Sequence, residues 1–311
     1  MRIGLLVRRL NQLPALEGVA RAAHARGHEV VLLLYQSGAR SGPKAGQWPD
    51  PERLPARWAT WTTVERFVVG RTEDFDVVLV PGPGSWPAPR PRRHGMATPQ
   101  WLGVQTAWSD VMVLAPDTLR AWDGLYVWSA AWARWWHGAY AEHDFYETGD
   151  LGGHLIPVGH PIAEHLAWID RPALRRRFGL PADRPVHVYL PFPFRTHGAG
   201  WRLEYLYRYA PWGDRAVVAR ARARAHGAEA VFVVKARRKS ALPDWTRRAA
   251  DLLLVDNDPG EPTALHLFSL ATMATGFYST SVAEAVAAGC QWECLAPAPW
   301  PAYRARRDAP R

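Results

Sequence analysis

Short apolar segments recur along the chain, each with the length and composition of a buried β-strand. Residues 2–7 and 29–35 are the first two, and the helix-like segment 14–26 separates them, with apolar residues on one face. Strand, helix and strand in this order form a βαβ unit, whose crossover makes its two strands parallel. The sequence therefore predicts an α/β fold built on a parallel sheet.

The same alternation continues and then restarts near residue 155, where a strand stops in a Gly-His-Pro turn. Two successive series of βα units predict two Rossmann-like domains, 1–154 and 155–311, with parallel sheets facing a central cleft. The first turn, at 8–12, lacks the Gly-x-Gly-x-x-Gly pattern, so a bound dinucleotide is not expected. Further predicted strands lie at 74–80, 101–106, 124–128, 186–190, 230–234 and 251–256.

Composition narrows the class of protein and of partner. The chain has 311 residues, 48% of them hydrophobic, and a net charge of +9. This excess favours anionic partners such as nucleotide-sugars, lipid phosphates or anionic membranes, while no zinc-finger spacing, RNP-like motif or basic helix with heptads indicates nucleic acid. No apolar run is long enough to span a bilayer, and residues 1–7 are too short for a signal peptide, so we expect a cytoplasmic protein. Cys290 and Cys294 fit neither a disulfide framework nor a zinc site.

The segment 271–289 combines an apolar strand, a polar turn and a helix that stops at Gly289. The backbone amides at a helix start, with a dipole equivalent to roughly half a charge, suit a phosphate group. Glu284, one turn into the helix, is placed to accept hydrogen bonds from the hydroxyls of a ribose. Ser281 and Glu284 also match the capping pattern S-x-x-E, in which they serve only the helix itself. The residues leave both interpretations open.

Four features follow one another in a defined order. They are the opening βαβ unit, Val-Gly-His-Pro at 158–161, a strand ending in Lys-x-Arg at 235–237, and Gly-x-x-Ser-Thr-Ser-x-x-Glu-Ala at 276–285. In this order they resemble the GT-B-fold, metal-independent nucleotide-sugar glycosyltransferases. More narrowly, they resemble the surface-polysaccharide branch with CDP-glycerol glycerophosphotransferases, polysialyltransferases and non-hydrolysing UDP-GlcNAc 2-epimerases. The resemblance covers the chain loosely and residues 155–290 best.

The resemblance implies that the first domain binds an acceptor and the second binds the nucleotide of the donor. It puts the donor diphosphate against the Ser-Thr-Ser turn, the ribose at Glu284, and the cations of the Lys-x-Arg strand end beside the phosphates. Such cations stabilise a departing phosphate without a metal ion. The residues assigned to nucleotide binding are Lys235, Arg237, Ser279, Thr280, Ser281 and Glu284.

The catalytic residues follow less directly from the pattern. His160 in the Gly-His-Pro turn is a candidate for contact with donor or acceptor, and the alternative is a histidine merely ordered by that turn. The glycerophosphotransferase branch often carries a histidine after the strand that ends here at Thr106, and this chain does not. We therefore rank Asp110 first as general base, ahead of His94 and Asp123. The short sequence after Gly289 also departs from the family pattern.

The expected function is transfer of a sugar, or a glycerol-phosphate-like group, from a nucleotide-activated donor to an acceptor hydroxyl in surface-glycan synthesis. No cofactor or metal is expected, and the partners are a nucleotide-sugar, a glycan or lipid-linked acceptor, and an anionic membrane touched peripherally at the inner face. One alternative is an epimerase or hydrolase of the same fold. The other is a degenerate, non-catalytic protein whose Trp-rich and Arg-rich surfaces bind partners or a membrane, as the aromatics beside arginines in the tail, 300–307, suggest.

Overall fold

The structure, a computed structural model, describes most of both predicted domains. The chain divides into two compact units, residues 1–165 with 259–261 (unit 1) and residues 166–258 with 262–311 (unit 2). Each unit contains one sheet of parallel strands, which confirms the predicted α/β class. The described residues are 1–35, 51–67, 72, 74–82, 99–106, 122–130, 155–191, 214–237, 242–256, 260–276 and 281–294.

Unit 1 is organised around a seven-stranded sheet with the order β3-β2-β1-β4-β5-β6-β7. The chain moves outward from β1 to β3 on one side and then builds β4 to β7 on the other. The strands are β1 (Arg2–Val7), β2 (Glu29–Leu34), β3 (Thr63–Arg66), β4 (Val77–Pro81), β5 (Gln100–Val104), β6 (Gly124–Val127) and β7 (Leu155–Pro157).

Apolar side chains cover both faces of this sheet, as expected for buried parallel strands. Helix α1 (Leu13–Ala25) packs its buried stripe, including Leu16 and Ala20, on one face together with Leu5 and Leu32. The opposite face is covered by a second cluster that includes Leu6, Val78, Trp122 and Leu125. Strands buried on both sides need continuous apolar sequence, which is why β1, β2 and β4 were visible in the sequence.

A buried carboxylate anchors α1 in unit 1. Glu17 is almost fully enclosed, and it accepts hydrogen bonds from Nη2 of Arg21 at 3.1 Å and from Nε and Nη2 of Arg57 at 3.1 Å. His165 Nε2 lies 3.7 Å from the same carboxylate. Because the arginines neutralise Glu17, we interpret it as a structural ion pair that fixes α1 to the 3₁₀ helix Ala56–Thr60.

Unit 2 contains a five-stranded sheet with the order β10-β9-β8-β11-β12. One face packs on the cluster of Val188, Val233 and Phe268, and the other on the cluster of Phe232 and Val218. The strands are β8 (Val186–Tyr189), β9 (Val231–Arg237), β10 (Leu252–Asp256), β11 (Met273–Gly276) and β12 (Gln291–Cys294). The helices are α2 (Arg171–Phe178), α3 (Asp214–Gly227), α4 (Asp244–Ala249), α5 (Thr263–Leu270) and α6 (Ser281–Ala287).

The first continuous segment of unit 1 ends at residue 165, whereas the sequence predicted a domain boundary after residue 154. The segment predicted to open the second domain is β7, which pairs with β6 and places Leu155 beside Leu125. Hydrogen bonds to β6 make β7 the last strand of the first sheet. The following segment, Pro161–Trp168, is a 3₁₀ helix.

Candidate functional site

The sheet of unit 2 has a topological switch point between β8 and β11. From β8 the chain continues to β9 and β10 on one side, and it then returns to build β11 and β12 on the other. In open α/β sheets, ligands bind outside the carboxyl ends of the strands at such a reversal. The carboxyl ends of β8, β9 and β11 therefore define the candidate donor edge of unit 2.

Lys235 lies at this donor edge. The registers of β9, β8 and β11 align Val234 with Thr275, so Lys235 is level with Gly276, two strands or ~10 Å away. Because side chains alternate along a strand, Lys235 is on the face of Val233, which α5 and α6 cover. Its side chain is buried. The predicted role of Lys235, stabilisation of phosphate charge, requires a cation at this edge of the sheet. Arg237 ends the same strand two residues later.

Helix α6 brings two further predicted residues to the donor edge. Ser281 is its first residue and Glu284 lies in its first turn, and both side chains are buried. Only four residues separate α6 from the end of β11, so the helix starts beside the row of Lys235 and Gly276. The structure thus groups Lys235, Ser281 and Glu284 on one edge and one face of the sheet of unit 2. The functions of these three residues stay predictions.

Four predicted residues lie outside the described residues. They are two members of the Ser-Thr-Ser turn and two candidates for proton transfer, and their predicted functions are neither supported nor weakened by the structure. These residues are Ser279, Thr280, Asp110 and His94.

Asp123 lies at the wrong edge of its sheet for a general base. It precedes β6, and its Oδ2 accepts a hydrogen bond from the backbone N–H of Trp101 at 2.8 Å, near the amino end of β5. Parallel strands share their amino ends at one edge, opposite the edge where ligands bind. Its proximity in sequence to the predicted site was misleading, since one strand separates it from the carboxyl edge.

In unit 1, the carboxyl ends of β5, β6 and β7 carry a polar cluster that sequence reasoning missed in part. Gln105 follows β5 directly and Trp128 follows β6 directly. Gln105 accepts a hydrogen bond at Oε1 from the backbone N–H of Trp128 at 3.1 Å, and its carbonyl oxygen accepts one from Trp128 Nε1 at 2.8 Å. The two residues are 23 positions apart, and neither belongs to a motif, so no signal in the sequence links them.

His160, a predicted site residue, belongs to this cluster. Gly159 has a φ of +92°, which glycine adopts without a steric cost, and the resulting turn brings the His160 ring to 4.4 Å from that of Trp128. Both ring nitrogens are buried, and neither has a hydrogen-bond partner among the residues that the structure describes. Burial lowers the pKa of His160 to about 4, so the imidazole is neutral at pH 7. A neutral imidazole donates one hydrogen bond and accepts another. We call Gln105, Trp128 and His160 the amide–imidazole cluster.

A second missed feature lies where the strand order of unit 1 reverses, between β1 and β4. Gln12 accepts hydrogen bonds at Oε1 from the backbone N–H groups of Arg8 and Arg9, and it donates from Nε2 to the carbonyl of Pro81 at 2.9 Å. Burial, and then the charge of Arg8, lower the pKa of Arg9. Two adjacent arginines after β1 form a cationic corner at the carboxyl edge, and their pairing directly after a strand was the available signal.

A cavity in unit 2 lies at the opposite, amino edge of the sheet. It has a volume of about 690 Å³ and is broadly open to solvent. Three of its side chains already have partners. Arg184 donates from Nε to the carbonyl of Glu229, and His226 Nε2 lies 2.9 Å from Asp251 Oδ2, which also accepts a hydrogen bond from the N–H of Phe232. The lining residues are Asp183, Arg184, Pro185, His226, Glu229 and Asp251. We therefore do not consider this cavity the functional site.

Two searches of the described residues were negative. No group of three or more His, Cys, Asp or Glu side chains in the described ranges is arranged to hold a metal ion. Among the helices that the structure describes, none has the length and apolar character to cross a membrane.

No protein-family model matches the chain, and no curated protein matches it in sequence. Solved structures do match. The S. aureus MnaA–UDP complex has a TM-score of 0.55 at 9% identity, over 94% of this chain and 78% of that one. UDP-GlcNAc 2-epimerase from Neisseria meningitidis, bound to UDP-GlcNAc, has a TM-score of 0.53 at 11% identity, over 95% of this chain and 82% of that one. A variant of the wall teichoic acid polymerase TagF has a TM-score of 0.51 at 10% identity, over 94% of this chain and 69% of that one.

The chain has a GT-B-type fold. Its fold is similar to that of a UDP complex, a UDP-GlcNAc 2-epimerase bound to UDP-GlcNAc and a wall teichoic acid polymerase. At about a tenth identity the comparison establishes the fold and leaves the reaction to be argued from residues. The suspected resemblance to the GT-B fold is confirmed at this level.

Proposed function

We propose that this GT-B chain is a metal-independent transferase that moves a sugar, or a glycerol-phosphate-like group, from a nucleotide-activated donor to an acceptor hydroxyl. The observation that carries the proposal is the grouping of buried Lys235, Ser281 and Glu284 at the donor edge of unit 2. A cation and a carboxylate on one edge suit the two ends of a nucleotide, its phosphates and its ribose. The proposal extends to surface-glycan synthesis.

In the proposed donor site, each residue has one task. Lys235, with Arg237 at the strand end, stabilises the negative charge that develops on the departing phosphate, so no metal ion is needed. Ser281, together with Ser279 and Thr280 before it, donates hydrogen bonds to phosphate oxygens. Glu284 accepts hydrogen bonds from the ribose hydroxyls. These interactions act through fixed groups, and this lowers the reorganisation needed in the transition state.

In the proposed acceptor site of unit 1, His160 contacts the attacking hydroxyl. Since the pKa of His160 is about 4, the imidazole is a weak base at neutral pH and serves better as a hydrogen-bonding group than as the proton acceptor. Asp110 is the proposed general base. The acceptor oxygen then attacks the transferred group, its proton passes to the base, and the bond to the nucleotide phosphate breaks.

An epimerase of the same fold is the second candidate. Two of the three solved structures compared above have UDP or UDP-GlcNAc bound, and one of these is a UDP-GlcNAc 2-epimerase. An epimerase or a hydrolase would convert the donor with no acceptor present, whereas a transferase would leave it intact. Incubation of the purified chain with UDP-GlcNAc alone, followed by chromatography of the products, distinguishes the two reactions.

The proposal includes a glycan or lipid-linked acceptor at the anionic inner face of a cell membrane. It is supported by the net charge of +9, which attracts the chain to anionic lipid headgroups. Vesicles with and without phosphatidylglycerol provide the test. Binding that requires the anionic lipid and weakens with salt is the expected result, and equal binding to neutral vesicles would contradict it.

The first experiment on the donor site is a thermal-shift titration with UDP, GDP, CDP, CMP, dTDP and ADP, without added metal. A nucleotide present at 100 times its Kd stabilises a protein by about 2.7 kcal/mol, enough to move the midpoint visibly. We expect a shift with one nucleotide class, and we expect Glu284→Ala to lose that shift. Because the measured quantity is the midpoint with ligand minus the midpoint without it, any change in the stability of the ligand-free variant cancels.

Asp183→Ala is the matched control, since Asp183 is an exposed carboxylate at the amino edge of the same sheet. It should keep the full nucleotide shift. If Glu284 is only a capping residue, Glu284→Ala should instead lower the stability of the ligand-free protein by about 1 kcal/mol and retain the shift. No shift with any nucleotide would contradict the transferase and the epimerase together and favour a non-catalytic binding protein.

A further inference from the structure

The amide of Gln105 is the most enclosed polar group of the amide–imidazole cluster. Its side chain is 1% exposed, and its Nε2 has no acceptor within hydrogen-bonding distance in the part of the chain that the structure describes. A buried donor without a partner loses its hydration on folding and gains no hydrogen bond in return. Folded proteins satisfy nearly all such groups, so a buried exception calls for a missing partner.

The orientation of this amide follows from its neighbour. The backbone N–H of Trp128 can only donate, so the atom of Gln105 facing it at 3.1 Å must be the oxygen. Rotating the amide by 180° would bring two donors together. The NH₂ group of Gln105 therefore points away from the Trp128 N–H. The second hydrogen bond, from Trp128 Nε1 to the Gln105 carbonyl, holds both residues in place before any ligand arrives.

His160 is the other member of the cluster with buried polar atoms. The ring of His160 is tilted by 41° against that of Trp128, and its two buried ring nitrogens also have no partner among the described residues. The cluster thus offers the two N–H groups of an amide, plus one donor and one acceptor of a neutral imidazole. Neither group carries charge at neutral pH. A hydroxyl both donates and accepts hydrogen bonds through one uncharged atom, so a single hydroxyl can bind to the amide and to the imidazole.

We propose that Gln105 is a specificity-determining residue, whose Nε2 donates to a hydroxyl of an uncharged, hydroxyl-bearing group of the acceptor at the carboxyl edge of unit 1. This inference rests on the proposed transferase function and names the chemistry of its acceptor. Buried neutral donors discriminate strongly, because a ligand that lacks the hydroxyl leaves them unpaired. A carboxylate at the same position gains no positive charge from the cluster and loses its hydration on binding.

The first test compares two ligands that differ only at one carbon, methyl β-D-glucoside and methyl β-D-glucuronide, together with glycerol. Binding to the unmodified protein is followed by ligand-detected NMR at pH 7. We expect the glucoside to bind at least tenfold more tightly than the glucuronide. Equal binding of the two, tighter binding of the glucuronide, or no binding by either the glucoside or glycerol would overturn the inference. This comparison needs no variant and so does not depend on how a substitution folds.

The second test is Gln105→Glu, which keeps an oxygen facing the Trp128 N–H and replaces only the NH₂ group. We expect affinity for the glucoside to fall about tenfold at pH 8 and to recover as the pH falls, because a protonated carboxyl regains an O–H donor. Burial raises the pKa of a carboxyl group, which brings this recovery into an accessible range. His160 is neutral above about pH 4 and does not contribute to the change. A variant that binds the glucoside as well as the unmodified protein does at pH 8 would overturn the inference.

Nucleotide binding separates this inference from the function on which it rests. Gln105→Glu should keep the full thermal shift with the nucleotide, since Gln105 is in unit 1 and the proposed donor residues are in unit 2. A retained nucleotide shift with unchanged glucoside affinity overturns the role of Gln105 alone. If no nucleotide shifts the thermal midpoint of the unmodified protein, the proposed function itself is overturned.

Discussion

At Gly276, the last residue of β11, there is no room for a side chain. A β-carbon there would lie 3.0 Å from Cη2 of Trp292 and 3.1 Å from Cβ of Leu190. The carbonyl oxygen of Leu190 would be 3.3 Å away. Since one of these contacts is backbone, the neighbours cannot all move aside at low cost. The glycine therefore lets β8, β11 and β12 approach one another directly below the start of α6.

We expect Gly276→Ala to destabilise the protein by about 1–3 kcal/mol, the usual cost of overpacking. Chemical denaturation followed by tryptophan fluorescence measures the change. Gly227→Ala is the matched control, because a β-carbon at Gly227 meets nothing within 4 Å, and it should be neutral or slightly stabilising. Equal effects of the two substitutions would contradict the steric interpretation.

At the scale of one element, α2 illustrates how local sequence forms a helix. Asp170 is its N-cap, and its Oδ1 accepts a hydrogen bond from the N–H of Ala173 at 3.0 Å. Pro172 occupies the first turn, where its missing N–H is not needed. Leu174 and Phe178 are one turn apart and bury the same face in the core of unit 2. The N-cap and the spacing of the apolar residues both predict a helix here, so the local sequence is enough to specify α2.

Asp170→Ala should cost about 1 kcal/mol of unfolding free energy, because it removes the acceptor for a helix amide. Asp170→Asn keeps a side-chain oxygen and should restore most of the loss. The midpoint of urea denaturation measures both. An alanine variant as stable as the unmodified protein would show that the hydrogen bond to Ala173 contributes nothing in water.

For the whole molecule, buried neutral histidines link stability to pH. His187 of β8 lies 2.6 Å from Oγ1 of Thr275, measured from Nε2, and its pKa is lowered to about 4 by burial and then by the charge of Arg224. His160 in unit 1 has a similar value because of burial. Each histidine titrates near 6.5 when unfolded. Between pH 6.5 and 4 the unfolded chain binds more protons, so acid destabilises both units.

We expect each of these histidines to remove about 2 kcal/mol of stability between pH 7 and pH 5. His187→Gln preserves a donor toward Thr275. It should abolish the part of the pH-dependent loss of stability that His187 contributes in unit 2. His24→Gln, at an exposed position of α1, is the control and should leave the pH dependence unchanged. Denaturant unfolding at a series of pH values measures the slopes. A slope that His187→Gln does not reduce would contradict burial as the cause.

Several elements were predictable because their signals are local. The apolar runs of β1 and β2, and the helix between them, α1 at Leu13–Ala25, appear where the sequence predicts them. By contrast, β3 is a polar segment, Thr63–Arg66, with all four residues exposed. It becomes a strand only by pairing with β2. Period and composition cannot reveal an edge strand whose hydrogen bonds come from a partner 32 residues away along the chain.

The sequence by itself determined the α/β class and the parallel strands, because apolar runs and crossovers are encoded within short segments. The placement of Lys235, Ser281 and Glu284 near one another was predicted only by the family resemblance. Only the tertiary structure decided that β7 belongs to unit 1, that Asp123 lies at the amino edge, and that Gln105 meets Trp128. These facts depend on the order of strands in a sheet and on burial, which bring together residues that no local pattern connects.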